Sequence, residues 1–298
     1  MLRIGAIITR KKISLAILRF LYSLPITGRI LRAITSKSKY LRQRVDVFGL
    51  TFNNPFGISS GIDINAEYIN PLTLTGCSFV EIGPVTTEAQ NNNKGVLYVL
   101  NNLKKIKPNT IVAACITKNK TTDSEDAVKD YEKCFALLND FVDMFIINLS
   151  GDTIEEKHAM HDVEYLSEIL DKLLSLRLYF DRFTPILIKI SDSIPSSQID
   201  DILDYSMRNG IDGIVLHTNS YDTLLELVKN IHEKTKGNFP IIASGDVTTA
   251  DQAKEILSSG ATLIDLYSAF FEKGGSVIKN ILKAIANETT QSNSLHNR

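Results

Sequence analysis

The first 44 residues of this 298-residue chain contain no aspartate and no glutamate, although they carry eleven of its 33 lysines and arginines. All 34 acidic residues fall in the remainder, against 22 basic ones, so the net charge of −1 conceals a basic head on an acidic body. Long apolar runs are missing as well: Lys11, Lys12 and Arg19 interrupt the head before any stretch reaches the ~18–20 residues that span a bilayer. Cysteine is scarce. Cys77, Cys115 and Cys134 are odd in number, widely spaced and set in apolar contexts, which argues against a disulfide framework or a Cys-x-x-Cys metal centre and favours a reducing, cytoplasmic compartment. His158 and His161 stand three apart with no third ligand nearby, so no metal site is expected. Neither a Gly-x-Gly-x-x-Gly nor a Gly-x-x-x-x-Gly-Lys-Ser/Thr loop occurs, which removes support for dinucleotide and P-loop chemistry.

What the head does contain is an apolar series, Ile13, Leu15, Ile17, Leu18, Phe20, Leu21 and Leu24, ending at Pro25-Ile26-Thr27-Gly28 and followed by Ile30, Leu31 and Ile34. This predicts a basic amphipathic helical extension over 1–44, suited to peripheral association with an anionic membrane, on the inner face of the cell membrane. A cap docked on the body and a cleavable import peptide are the alternatives. Nucleic acid is not an expected partner, because the patch belongs to an apolar helix rather than to a groove-reading motif.

Beyond the head, eight short apolar runs rich in Ile and Val occupy 55–61, 79–86, 111–117, 144–150, 185–190, 213–219, 240–246 and 263–270, most followed by an amphipathic stretch of helical length. Apolar runs without strict alternation are expected of strands buried on both faces of a parallel sheet. Eight of them count out an α/β fold, a (β/α)8 TIM barrel over 45–287, with an N-terminal helical extension before it and a frayed tail from 288. A hydrophobic fraction of 44% and a mean hydropathy of zero fit one soluble domain with a large core. Active sites of such barrels lie at the C-terminal strand ends, which here include Ser59-Ser60-Gly61, Asn148-Leu149-Ser150-Gly151, Lys189, Thr218-Asn219-Ser220, Gly245-Asp246 and Tyr267-Ser268.

In order along the chain, Phe48-Gly49-Leu50-Thr51-Phe52-Asn53-Asn54-Pro55, Ser60-Gly61-Ile62-Asp63, Glu81-Ile82-Gly83, Lys118-Asn119-Lys120, Asn148-Leu149-Ser150, Ile188-Lys189-Ile190, Thr218-Asn219, Pro240-Ile241-Ile242 and Tyr267-Ser268 make the sequence similar to the dihydroorotate dehydrogenases. The basic head resembles the N-terminal extension of the class 2, membrane-associated, quinone-reducing members. The resemblance covers nearly the whole chain. It implies an FMN-holding barrel that oxidises dihydroorotate to orotate in pyrimidine biosynthesis, with quinone as electron acceptor. It also implies cofactor contacts from Ser60, Gly61, Asn148, Lys189, Thr218, Gly245, Tyr267 and Ser268, and substrate contacts from Asn148, Asn219 and Ser220. Each has a plainer reading: Gly61 as a turn, Asn148 as a capped loop, Lys189 paired with an acid such as Asp212.

The sequence departs from the family at the place where the reaction would occur. The family loop Asn-x-Ser-Ser-Pro-Asn-Thr supplies the base, but here Asn148-Leu149-Ser150-Gly151-Asp152-Thr153 is one residue shorter and Gly151 stands at the base position, with Ser150 or Asp152 as substitutes. Ile64 replaces a lysine expected near the substrate carboxylate. The ring clamp Asn-Arg-Met-Gly-Phe-Asn-Asn has no counterpart, and neither has the Gly-Gly-Leu-Ser-Gly segment beyond Thr218-Asn219-Ser220. Cys115 replaces an asparagine and Asp246 a glycine, both weakening FMN contacts. The departures leave two readings: an FMN-dependent dihydroorotate dehydrogenase (quinone), or a catalytically inactive or repurposed relative that binds flavin weakly or another phosphorylated ligand.

Deleting residues 1–44 is expected to abolish co-sedimentation with anionic vesicles. Unchanged sedimentation of the truncated chain would defeat the membrane reading of the head.

Overall fold

The structure is a computed structural model that describes residues 16–17, 19–21, 24, 27, 43–149, 162–192 and 194–296, with side chains described up to 287. A two-stranded antiparallel hairpin, β1 (Val45–Val47) and β2 (Leu50–Phe52), leads into eight parallel strands. These are β3 (Phe56–Asp63), β4 (Phe79–Val85), β5 (Ile111–Ile116), β6 (Met144–Asn148), β7 (Ile186–Ser191), β8 (Gly213–His217), β9 (Ile241–Gly245) and β10 (Leu263–Leu266). Each pairs with its sequence neighbour, and β10 returns to β3, closing the barrel. The expected eight-stranded α/β barrel is what forms.

The helices outside the barrel are α1 (Val96–Leu103), α2 (Ala127–Leu138), α3 (Val163–Arg177), α4 (Ser196–Asn209), α5 (Tyr221–Lys234), α6 (Ala250–Ser258), α7 (Ser268–Lys273) and α8 (Val277–His296), with only helical turns at 69–75 after β3. Their sequences carry the stripe that packs them: α2 buries Ala127, Tyr131, Cys134, Phe135 and Leu138, spaced along one face. Thr249 and Gln252 form a reciprocal capping box that fixes where α6 begins.

Two expectations are corrected. The run 263–270 is strand only to Leu266, because Ser268 already opens α7. The tail from 288 is helical to His296, since α8 is anchored by buried Val277, Ile278, Ile281 and Leu282 and a helix once nucleated propagates cheaply. Most of the basic head, together with the pair His158 and His161 and the loop holding Ser150, Gly151 and Asp152, lies outside the described residues. Of the head, 16–17 and 19–21 are helical, and Ile17, Phe20 and Leu24 are exposed.

The strands are apolar throughout because each face meets a different core. Outward residues such as Ile82, Val112, Phe145, Ile188, Leu216, Ala243 and Ile264 pack under the helices. Inward residues Phe79, Ala113, Met144, Ile146, Leu187, Val215, Ile242 and Leu263 fill the lower barrel. The hairpin plugs that end. Phe48 and Gly49 both take positive φ (57° and 72°), as a two-residue turn of the primed kind requires, and this turn drives Phe48 and Phe52 toward Phe79 in edge-to-face contacts.

Gly213 is where the plug meets the barrel: a Cβ there would lie 2.6 Å from the Phe48 ring and 2.8 Å from the Pro240 carbonyl oxygen. Gly213→Ala is therefore expected to cost about 1–3 kcal/mol through overpacking. An unchanged urea unfolding midpoint would show that the plug is loose.

Candidate functional site

Two residues beyond each inward apolar side chain, the same barrel face turns polar. Phe79 is followed by Glu81, Ile146 by Asn148, Leu187 by Lys189, Val215 by His217, Ile242 by Ser244 and Leu263 by Asp265. Side chains on a strand share a face every second residue, so these form one polar layer above the apolar one, at the C-terminal end of the strands.

At its centre Lys189 Nζ donates to Glu81 Oε1 at 2.9 Å and to Ser60 Oγ at 3.1 Å. Both ends of this ion pair are buried, with side-chain exposures of 7% and 0%. Asp265, also fully buried, is within hydrogen-bond reach of Glu81. Burial and the charge of Glu81 hold its carboxyl well above the usual range, which favours the neutral acid. Glu81 Oε2 and both Asp265 oxygens have no other bonded partner, and a proton shared from Asp265 to Glu81 supplies one. Burial pushes Glu81 upward, but Lys189, the Asp265 hydrogen bond and a further one from Lys189 outweigh it and hold it down at about 2. Lys189 is displaced upward, since the attraction of Glu81 overcomes the effect of its own burial. The result is one cation, one anion and one neutral acid. The Cys115 thiol beside them is pushed up by burial and by Glu81, which keeps it protonated.

The layer continues through Ser244, whose Oγ is 3.3 Å from Ser59 Oγ and 3.1 Å from His217 Nδ1. Above it opens a cleft of about 370 Å³, within the size range of ligand pockets, walled by Ser59, Ser60, Gly61, Asn148, Lys189 and His217 among others. Gly61, with φ +89°, lets the chain pass close under Tyr267, whose ring would be 3.1 Å from a Cβ there. A hollow of about 550 Å³ at the opposite mouth, around Lys107, Asn109 and Arg182, holds no fully buried charge.

Of the residues singled out from sequence, Ser60, Gly61, Asn148, Lys189, Asn219 and Tyr267 come together around this cleft, joined by Pro84. The others have different employment. Thr218 donates to Asp192 Oδ2 at 2.6 Å and accepts from the Ser220 amide. Ser220 caps α5 by accepting from Thr223 N. Gly245 is required by the Thr218 carbonyl, which would stand 2.6 Å from a Cβ. Ser268 Oγ donates to Asp246 Oδ1 at 2.5 Å. Ile64, partly exposed, is not in the wall. The plainer reading of Lys189 named the wrong acid: Asp212 accepts from Arg177 Nη1 at 2.7 Å and from Ile186 N at 2.8 Å, and the partner of Lys189 is Glu81 across the barrel.

Glu81 as the lysine's partner, Asp265, Ser244 and His217 escaped sequence reasoning. The available signal was a single polar residue two places after an inward apolar one, which is legible only once the inward phase of each strand is known.

Asp265 gives a pH signature. Above the ordinary carboxylate pKa near 4, the unfolded chain loses a proton that folded Asp265 retains, so this group's contribution to stability falls as pH rises through its folded value. Asp265→Asn is expected to flatten that decline in unfolding free energy above about pH 4. A wild-type curve already flat there would show that Asp265 is ionised in the fold.

Comparison with known proteins bears on what the site is. The family model for dihydroorotate dehydrogenase matches residues 91–224 and 219–288. A curated dihydroorotate dehydrogenase (quinone) of Christiangramia forsetii is 31% identical over 84% of this chain and 87% of its own length, and one of Coxiella burnetii is 28% identical over 80% and 82%. The solved DHODH of Eimeria tenella, in complex with ferulenol, superposes with a TM-score of 0.76 at 19% identity, covering 89% of this chain and 91% of that one. With the barrel, the cleft at its C-terminal mouth and a match over most of its relatives' length, this chain belongs to the dihydroorotate dehydrogenase family and resembles its quinone-dependent class.

Proposed function

We propose that this chain is a divergent flavin-binding barrel that keeps the seat for the ring of the family's cofactor, FMN, and has lost efficient oxidation of dihydroorotate. The observation that carries the ring seat is Lys189, a buried cation in the cleft wall whose Nζ, among the described residues, keeps one N–H beyond those given to Glu81 and Ser60. A positive charge there stabilises negative charge on a reduced ring, and Asn148, Ser60 and Asn219 offer polar contacts along the same wall.

The phosphate end is different. Barrels commonly hold phosphate at the loops after the seventh and eighth strands and at the N-terminus of a short extra helix, which here is the corner of Gly245, Asp246 and Ser268. Asp246 brings a carboxylate into that corner and takes the Ser268 hydroxyl for itself. A carboxylate ~4–5 Å from a phosphate opposes it by about 3–4 kcal/mol per unit charge at an effective dielectric of ~20, or two to three decades of affinity. The residues thus fit a flavin ring and not its phosphate. Bound flavin would supply a hydride acceptor; the chain supplies orientation and charge.

Loss of the family reaction is supported by Gly151 at the base position, since a hydrogen cannot take a proton and a positioned base is worth roughly 10²–10⁴ in rate. Ile64 in place of a lysine and the missing ring clamp act on the same pocket. A second reading, a working dihydroorotate dehydrogenase with Ser150 or Asp152 as base and quinone as acceptor, is favoured by the similarity to quinone-dependent relatives over more than four-fifths of their length. Exposed Ile17 and Phe20 support peripheral membrane contact in either case, and among the described residues no helix is long and apolar enough to cross a membrane.

Titrating the purified full chain with riboflavin and with FMN, then adding dihydroorotate anaerobically, separates these readings. Riboflavin should bind more tightly than FMN, and dihydroorotate should not bleach the flavin absorbance within minutes. Rapid bleaching that Ser150→Ala abolishes would establish the second reading, and no uptake of either flavin would overturn the ring seat.

A further inference from the structure

His217 belongs to none of the strand-end motifs, yet it closes β8 on the inner face and lines the cleft. Its Nδ1 is held 3.1 Å from Ser244 Oγ, which also lies 3.3 Å from Ser59 Oγ. A hydroxyl has one proton to give. With that proton directed to Ser59 Oγ, Ser244 Oγ accepts from Nδ1–H, and the lone pair of the imidazole resides on Nε2. Nε2 meets no protein partner among the described residues and is not among the fully buried polar atoms, so it opens on the cleft. On the adjoining strand Ser191 pairs with His217, which sets Lys189 one inward position below it. The cleft wall therefore carries an N–H donor on β7 and, one inward step above it on β8, a nitrogen acceptor.

We propose that Lys189 and His217 read the imide edge of a planar ring ligand, His217 Nε2 accepting the ring N–H while Lys189 Nζ donates to the adjacent carbonyl oxygen. The proposal rests on the reading of this cleft as a ring seat and adds the feature by which the ring is recognised. A carbonyl beside an imide N–H is common to the flavin ring and to free pyrimidine-diones such as orotate. Either can present that edge.

The charged and titratable groups around His217 are Lys189 from β7, Glu81 from β4 and Asp192 just beyond β7, with Asp265 on β10 in register with Ser244. Burial first, and the charge of Lys189 second, hold the imidazole below its ordinary value of 6.5, so it is neutral at neutral pH and able to accept. Acidification through that lowered value would turn the acceptor into a donor beside a second cation, and imide ligands would be released.

The test uses four probes on the full-length chain: lumiflavin, 3-methyllumiflavin, orotate and 3-methylorotate, the methylated members lacking the imide proton. For whichever ring binds, wild type should prefer the unmethylated member at least tenfold at pH 7.5. His217→Leu should bring that ratio to near one, and His217→Gln, which restores an acceptor, should recover part of it. The ratio is taken within one protein, so partial misfolding of a variant does not mimic the result. Binding of lumiflavin with no preference, or a preference that persists in His217→Leu, overturns the proposal while leaving the ring seat intact. Preference confined to the orotate pair, with no flavin bound, upholds the imide reader and refutes the flavin reading. Binding of none of the four defeats both.

Discussion

A lysine, a glutamate and an aspartate enclosed in the upper barrel, from β7, β4 and β10, set the conditions for everything above them. Three ionised side chains could not be kept there. The cost of desolvating each would exceed what one ion pair returns, and buried charges persist only when matched and hydrogen-bonded. The arrangement resolves this by leaving one proton on Asp265, so that Lys189 and Glu81 neutralise one another and the third group serves as a hydrogen-bond donor. Because the layer is neutral overall while its cation alone reaches the cleft, the barrel presents a positive point to a ligand without carrying net charge in its interior.

That layer needs a dry floor. The hairpin β1–β2 provides it by turning Phe48 and Phe52 into the lower barrel against Phe79, sealing the N-terminal mouth with aromatic rings. Gly213 allows the fit. Water reaching Lys189 and Glu81 from below would raise the local dielectric and weaken their pairing. The plug, the apolar layer and the polar layer thus form a vertical sequence in which each level sets the environment of the next.

The same sequence of levels explains why the two ends of the proposed ligand seat diverge. The ring end sits directly over the neutral polar layer and inherits its order, with Lys189, His217 and Ser60 each held by a partner from another strand. The phosphate end sits on loops after β9 and β10, where one side chain, Asp246, can change the sign of the corner without disturbing the barrel. Relatives of this chain are dihydroorotate dehydrogenases, and the fold is theirs. Strand-borne features persist because packing enforces them; loop-borne chemistry is free to drift.

The sequence by itself determined the architecture. Eight apolar runs of strand length, helices with buried stripes such as that of α2, and ordered motifs were enough to state a barrel, its active end and its family, because burial on both faces leaves a compositional mark that needs no coordinates. The boundaries were less legible: the last strand stops at Leu266, and α8 outlasts its apolar residues. What only the tertiary structure decided was partnership. Glu81 and Lys189 are 108 positions apart, and nothing local distinguishes Glu81 from Asp212 as the acid that Lys189 meets. Barrel closure made the choice, because the strand phase that points Lys189 inward also points Glu81, Asp265, Ser244 and His217 into the same end of the barrel. Which side chains meet across a closed sheet is a property of register and curvature, and neither is written in any one strand.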